Sequence, residues 1–291
     1  MQLETVGILS PGDMGHTVGQ VLGSHGLRVI TCLQGRSERT RSLAERAHIA
    51  AVPSYEALVT QADIVLSILV PAQACLAAEA VARAISEAGT DLVYADCNAI
   101  APQTARRIDD IITEAGGRFV DASIIGPPPR REGTSRFYAS GPHTRAFAQL
   151  AEFGLDVIVL GEVAGQASAI KMCYAALTKG LTALCTELLT AAEVLGVFQS
   201  LKAEFKLSQA ALYERMERGL PRMPIKSRRW VGEMEEIAKT FAQVGLTPKI
   251  LSGAADMYRF VGATHLAERT PEDPAPFPML PEVLSGLVSY L

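Results

Sequence analysis

Up to about residue 160 the chain repeatedly alternates short apolar runs with stretches rich in Ala, Leu, Glu and Arg, and beyond residue 163 the short runs stop. This alternation is the feature that most constrains the fold. Strand-like runs lie at 5–9, 28–33, 63–70, 91–95 and 118–121. Helix-forming stretches at 14–25, 38–47, 55–61, 72–88 and 101–115 separate them, and two further runs at 136–140 and 156–160 flank another helical stretch. Parallel neighbours need a long crossover between them, and a helix is the usual crossover. Strand–helix–strand repetition therefore predicts an α/β fold with a Rossmann-type, doubly wound sheet covered on both faces.

The second half reads differently. Ile170, Tyr174, Leu177, Leu181, Leu184, Leu188, Ala191 and Leu195 follow one another at alternate spacings of four and three. This predicts one apolar stripe on a helix of about seven to eight turns, ended by Gly196. Helical stretches follow at 203–218, 227–243 and 251–264. A proline-rich connector, TPEDPAPFPMLP, leads to a short amphipathic end, EVLSGLVSYL. The expected organisation is a dinucleotide-binding domain at 1–162 and an all-helical substrate and dimerisation domain at 163–291.

Composition narrows the function classes. With 48% apolar and 20% charged residues and a net charge of −4, nothing draws the chain toward nucleic acid or an anionic membrane. The longest apolar stretch, 64–81, is interrupted by Pro71, Gln73 and Glu79, so no bilayer span is expected. The N-terminus has no basic region ahead of its first apolar run. Five cysteines without a C-x-x-C pair read as free thiols that pack as small core residues in a reducing compartment, and dispersed histidines argue against structural zinc. A soluble, cytoplasmic protein is expected.

The segment VGILSPGDMG, residues 6–15, is an apolar run followed by a glycine-punctuated turn into a helix. A G-x-G-x-x-G fingerprint uses its glycines for the turn, for close approach of the pyrophosphate and for helix–strand packing. Gly12 and Gly15 fill the last two slots, and Ser10 occupies the first. Pro11 biases Ser10 toward an extended backbone, and Pro11–Gly12 suits a type II turn with positive φ at Gly12. The helix N-terminus then remains available to phosphate, although Asp13 sits in its first turn. About 20 residues past Gly15, where an acid would accept the ribose hydroxyls of NAD, the chain has Leu33–Gln34–Gly35–Arg36–Ser37. Arg36, with Ser37 and Arg39, offers donors suited to a 2′-phosphate, which predicts NADP(H).

Several segments, in order, resemble the β-hydroxyacid dehydrogenase family, which contains 3-hydroxyisobutyrate dehydrogenase and the 6-phosphogluconate dehydrogenases. The resemblance covers nearly the whole chain and is nearest to a subgroup with a short helical C-terminal domain. Ser10–Pro11–Gly12–Asp13–Met14–Gly15 resembles the family's G-x-G-x-M-G, and Gly35–Arg36–Ser37 its N-R-S. Leu69–Val70–Pro71 is similar to the strand end that lies along the cofactor. Asp96–Cys97–Asn98–Ala99–Ile100–Ala101–Pro102 is similar to D-x-S-T-x-S-P, with Asn98 near the nicotinamide ribose. Asp121–Ala122–Ser123–Ile124–Ile125–Gly126–Pro127 partly matches the substrate segment, and Gly165–Gln166–Ala167–Ser168–Ala169–Ile170–Lys171 resembles the G-x-x-G/A-x-x-x-K helix motif.

The resemblance implies a dehydrogenase in which Lys171 is general acid–base while hydride passes between the nicotinamide and a small hydroxy or carbonyl compound. Partial burial and the start of a helix would lower the lysine's pKa toward its working range. Gly12, Met14, Gly15, Arg36, Ser37, Val70 and Asn98 are expected to line the cofactor. Ser123, Gly126, Tyr174 and Thr178 are candidates for the substrate side. The departures matter equally: Ala175 replaces a substrate-holding Asn, Ile125 replaces a carboxylate-gripping Ser, and Glu233–Met234 stands where many members carry Lys-Asp. Arg130 and Arg131 are read as a solvated loop with some scope for meeting an anion, and Arg228–Arg229–Trp230 as helix surface and packing, with a pocket wall as the other reading. The long stripe is expected to bury against a second copy in a homodimer, with the active site near the domain cleft. Two other readings remain: imine reduction or reductive amination on the same scaffold, and a non-catalytic NADPH-binding protein.

Overall fold

The strand-forming runs pair into a single sheet. The computed structural model describes residues 3–270 and 273–291; Met1, Gln2, and Pro271 and Glu272 of the connector lie outside the described residues. Among the described residues the sheet has 8 strands: β1 (Thr5–Leu9), β2 (Arg28–Cys32), β3 (Ala50–Val52), β4 (Ile64–Ser67), β5 (Val93–Asp96), β6 (Arg118–Ile125), β7 (Arg136–Ser140) and β8 (Asp156–Gly161). Their order is β3-β2-β1-β4-β5-β6-β7-β8, parallel throughout except for the β6–β7 pair. The chain reverses its direction of travel across the sheet between β1 and β4, the switch point at which such sheets bind ligands.

Alternation along each strand supplies two cores. Val6 and Ile8 point to one face with Leu66, Ala95, Val120 and Phe137, packed against Val18 and Leu22 of α1 (Asp13–Ser24). Leu9, Val65, Tyr94 and Phe119 point to the other. They meet α3 (Tyr55–Gln61), α4 (Ala74–Ala88) and α5 (Pro102–Glu114) through Leu58, Val81, Ile85, Ile108 and Ile112. Between β2 and β3 runs α2 (Glu38–Arg46), and between β7 and β8 runs α6 (Thr144–Ala148). The doubly wound sheet expected from the alternation is therefore present. Strand β3 was not foreseen, because Ala50 and Ala51 are exposed and carry no apolar alternation; backbone pairing with β2 makes the strand.

After β8 the chain is helical: α7 (Gln166–Val194), α8 (Phe198–Ser208), α9 (Ala210–Gly219), α10 (Pro224–Gln243), α11 (Lys249–Gly262) and α12 (Leu280–Val288). The expected helix 203–218 is in fact two, broken at Gln209, which ends α8 and begins α9 at φ −138°. The break lets Phe205 and Tyr213 stack with ring centroids 6.2 Å apart. Four threonines interrupt α7 at four-residue spacing. Thr178, Thr182, Thr186 and Thr190 each donate a hydroxyl to the carbonyl one turn back, satisfying a polar group that would otherwise compete with the helix.

The chain forms two compact units, Met1–Met172 and Cys173–Leu291, dividing inside α7 rather than in front of it at 162/163. The physical reason is that the opening turns of α7 are bonded to the sheet, as described below. The helical unit has its own core, in which Cys185 and Leu189 of α7 meet Phe198, Tyr213, Met216 and Leu284. Helix α7 has more than one apolar face. Ala175, Cys185 and Leu189 are buried, whereas Tyr174, Leu177, Leu184 and Leu195 of the stripe are exposed. Cys173 is exposed and Cys75 only half-buried, so these two thiols are not core residues as expected; all five cysteines are free. No helix among the described residues is long and apolar enough to cross a membrane.

Candidate functional site

The turn after β1 is built differently from the expectation. Ser10, not Gly12, takes the positive φ (61°), and Gly12 has an extended backbone at φ −75°. The Gly12 amide donates to the Ser10 carbonyl at 2.7 Å, closing a three-residue turn over Pro11. The left-handed residue thus occupies the slot where the fingerprint has its first glycine, and the local hydrogen bond overrides the proline's bias on Ser10. Gly15 is required by packing, because a Cβ there would lie 2.6 Å from the Ser10 carbonyl oxygen. Gly12 is different. Its backbone suits any residue, and nothing lies within 4 Å of where its Cβ would be. No side chain caps the N-terminus of α1 at this open position. An uncapped helix start with clear backbone approach fits a pyrophosphate. Met14 follows in the first turn, packed against the core.

The end of β2 lies beside this turn. Arg39 on α2 pairs with Asp13 at 2.7 Å, which offsets the acid next to the anion position and joins the two segments. Ser37 is the N-cap of α2, accepting from the Thr40 amide at 3.3 Å, so its oxygen already has a structural task. Arg36 is half-buried, with Nη2 3.4 Å from the Tyr55 hydroxyl, and its Nε is buried without a hydrogen-bond partner. An orphaned guanidinium N–H at this strand end fits a phosphate on the ribose.

Further along the crest, register aligns a row of buried polar residues: Ser67 of β4 beside Asp96 of β5, Asp96 beside Asp121 of β6, and Asp121 opposite Ser140 of β7. Asn98, just past β5, fastens this row. Its Nδ2 donates to Ser67 Oγ at 3.0 Å and to Asp96 Oδ2 at 2.9 Å, and its Oδ1 accepts from the Leu69 amide. The side chain expected at the nicotinamide ribose is thus engaged in tying the ends of β4 and β5 together. That bond also fixes the backbone leading to Val70, which is exposed at the end of the β4 loop. Burial pushes the Asp96 carboxyl up to about 7, against hydrogen bonds from Asn98 that hold it down, and nearby Asp121 adds to the rise. Burial also raises Asp121, although Ser168, Ser140 and Gly165 all donate to it.

Asp121 and Ser123 position the start of α7. Asp121 Oδ2 accepts from the Gly165 and Ser168 amides at 2.9 and 3.0 Å and from Ser140 Oγ at 2.8 Å, while Oδ1 accepts from Ser168 Oγ at 2.6 Å. Ser123 is fully buried and donates to the Ala167 carbonyl at 2.7 Å, so its hydroxyl serves the fold. One turn on, half-buried Lys171 donates from Nζ to the Ile124 carbonyl. Gly126, at φ +132°, ends the same strand where any side chain would collide with the Thr134 carbonyl. The structure therefore groups Ser123, Gly126 and Lys171 at the end of β6. Gly12, Met14, Gly15, Arg36 and Ser37 gather at the ends of β1 and β2, and Val70 and Asn98 at the ends of β4 and β5.

Other candidates lie elsewhere. Arg130 and Arg131 border a small cavity with Val21, in the C-terminal half of α1, and His25, just past that helix. Tyr174 is exposed on α7. Thr178 borders a cavity inside the helical unit together with Lys179 and Trp230. Sequence reasoning missed Lys179, which is paired with Glu233; Trp230, read as helix surface with a pocket wall as the other reading, does line the cavity. The adjacent Glu233 and Lys226 were the signal available, but only folding shows which helix faces converge.

Residues 5–157 match the family model described as the NAD binding domain of 6-phosphogluconate dehydrogenase, and residues 192–261 match a domain of unknown function, DUF1932. An uncharacterized 28.5 kDa protein from Methanothermus fervidus is 27% identical over 257 residues, covering 88% of this chain and 98% of that one. A solved conserved protein of unknown function, described as structurally similar to 3-hydroxyacid dehydrogenases, is 30% identical with a TM-score of 0.66, over 88% of this chain and 97% of its own. The fold is shared with Mycobacterium tuberculosis 3-hydroxyisobutyrate dehydrogenase, at 21% identity and a TM-score of 0.68, over 92% and 96% of the two chains. With its nicotinamide dinucleotide-binding sheet and helical second unit, the chain belongs to the β-hydroxyacid dehydrogenase family of oxidoreductases.

Proposed function

We propose that this chain is an NADP(H)-dependent oxidoreductase acting on a small hydroxy or carbonyl compound, with Lys171 as general acid–base. The observation that carries this reading is that one sheet edge bears both an uncapped α1 N-terminus at Gly12 and a fixed amine, Lys171 Nζ, on the Ile124 carbonyl. When bound, the nicotinamide supplies or takes up the hydride. Lys171 in its ammonium form gives a proton to a carbonyl oxygen becoming an alcohol, and in its amine form removes that proton in the oxidative direction. The Ile124 carbonyl fixes the direction of Nζ, and the bonds of Asp121 and Ser123 fix the helix that delivers it. These two residues and Asn98 therefore act as positioning residues. Gly12, Met14 and Gly15 border the pyrophosphate, Arg36 and Ser37 meet the 2′-phosphate, and Val70 flanks the nicotinamide half. Gly126, Tyr174 and Thr178 remain candidates for substrate contact.

The same reading includes a second copy of the chain. Tyr174, Leu177, Leu184 and Leu195 form an exposed apolar stripe along α7, the kind of surface that a helix–helix interface covers.

The test is NADPH consumption across ketones, aldehydes, keto acids and cyclic imines. Turnover on a carbonyl compound is expected, falling by roughly 10²–10⁴-fold in Lys171→Ala with NADPH binding retained. Arg36→Asp is expected to weaken NADPH far more than NADH. Turnover confined to imines would assign the alternative reductive chemistry. NADPH binding without turnover across the panel would remove the enzymatic reading.

A further inference from the structure

We infer that Tyr55 is a second determinant of coenzyme choice: its hydroxyl carries the Arg36 guanidinium and gives its own proton to the 2′-phosphate of NADP(H). The inference deepens the NADP(H) reading and rests on it. Strand register brings the two residues together, because Cys32 at the end of β2 pairs with Val52 at the end of β3. After β2, Gly35 at φ +69° lets the Arg36 amide close a turn on the Leu33 carbonyl at 3.2 Å. After β3, Ser54 caps α3 by accepting from the Ala57 amide at 3.2 Å, which makes Tyr55 the first residue of that helix. The half-buried Tyr55 ring packs on the core that holds Cys32, Leu58 and Val59. Its hydroxyl accepts from Arg36 Nη2 at 3.4 Å, so the core fixes the polar tip beside the guanidinium.

Three arginines follow β2 closely, and their partners differ. Arg39 gives its charge to Asp13 at 2.7 Å, and Arg41 donates to the Leu33 carbonyl at 2.8 Å. Arg36 instead meets a neutral hydroxyl, and its Nε is buried without a hydrogen-bond partner among the described residues. A tyrosyl hydroxyl both accepts and donates, so Tyr55 still has a proton to give after accepting from Arg36. Among the described residues no acceptor takes that proton. The pair thus holds two unmet donors, one cationic and one neutral, at the strand end that meets the ribose of a bound dinucleotide. The flexible arginine stem allows Nε to turn to an acceptor arriving beside the hydroxyl. A ribose hydroxyl satisfies one of these donors, whereas a phosphate satisfies both and adds charge assistance from the guanidinium. Glu56, the acid next to Tyr55, is engaged by the Ser54 hydroxyl and its own backbone amide.

Calorimetric titration of the full chain tests this without turnover, using NADPH against NADH and adenosine 2′,5′-bisphosphate against 5′-AMP. Within each pair the wild-type chain should bind the 2′-phosphorylated ligand more tightly. Tyr55→Phe keeps the ring in the core and removes the hydroxyl. It should weaken NADPH and the bisphosphate by roughly tenfold, about 1.4 kcal/mol, and leave NADH within about twofold. Its unfolding midpoint without ligand should match the wild type. NADH weakened as much as NADPH would make Tyr55 a packing residue and overturn the inference. Wild-type NADPH affinity in Tyr55→Phe, with Arg36→Asp still defective, would also overturn it while the NADP(H) reading stands. Equal affinity of the wild-type chain for NADPH and NADH would remove that reading and this inference together.

Discussion

Asp121 Oδ1 accepts a 2.6 Å hydrogen bond from Ser168 Oγ, and through it strand β6 holds the helix that carries Lys171. The other carboxylate oxygen takes the Gly165 and Ser168 amides, two of the donors a helix start leaves without intrahelical partners. A side chain distant in sequence thus does the work of an N-cap. Gly165, at φ +103°, turns the backbone so that its amide can reach.

Removing that cap should be costly, and keeping its shape should not. Asp121→Ala leaves two buried amides and the Ser140 and Ser168 hydroxyls without this acceptor, a loss of about 3–5 kcal/mol in denaturant-derived stability. Asp121→Asn can keep the acceptor toward the amides and turn its NH₂ toward Ser168 Oγ, and should lose no more than about 1 kcal/mol. Equal losses in the two variants would contradict the capping role.

Asp96 adds a pH dependence of definite sign. Its carboxyl is buried beside Asp121 and titrates near 7 in the folded chain, against an ordinary value of 3.8. The folded state therefore holds this proton more tightly than the unfolded state, and stability falls as pH rises from about 4 to 7. Above the folded value the contribution is flat. The rise corresponds to roughly 4 kcal/mol at most. Urea midpoints measured across that interval should decline toward neutrality, and Asp96→Asn should flatten the slope whatever it does to absolute stability. A slope unchanged in that variant would assign the effect to other groups.

The two glycines of the turn separate folding from binding. Gly15→Ala drives a Cβ against the Ser10 carbonyl and should lower stability by about 1–3 kcal/mol. Gly12→Ala meets nothing in the chain and has an ordinary backbone, so its stability should stay within about 0.5 kcal/mol. Its methyl would occupy the approach to the helix start, so NADPH affinity should fall by at least about tenfold. Thermal melts with and without NADPH read both effects, and a Gly12→Ala protein binding normally would mean that the phosphates lie elsewhere.

These details mark how far the sequence could be read. The sheet was legible because Val6, Ile8, Leu9 and their counterparts alternate toward two cores, and because Gly12, Gly15 and Arg36 stand at fixed spacings from strand ends. What was not legible depends on contacts distant in sequence. Ser10 looks extended in front of proline until the Gly12 amide closes the turn. Asn98 and Ser123 carry groups that suit a ligand, yet Ser67, Asp96, Leu69 and Ala167 already engage them. The Trp230 cavity joins faces of several helices, which periodicity within any one of them does not reveal.

The stripe on α7 yields the last prediction. Leu177 and Leu184 are 66% and 55% exposed, two turns apart on the same helix face. Side chains this apolar gain by leaving water, at about 25 cal/mol per Å², when a second α7 packs on them. Light scattering at micromolar concentration should therefore give twice the 31.1 kDa chain mass. The Leu177→Glu/Leu184→Glu variant places a charge at each contact without touching the buried face of Ala175, Cys185 and Leu189. It should run as a monomer with its helical circular dichroism intact. A wild-type monomer would leave the stripe unexplained, and a dimer that survives both charges would move the interface to another surface.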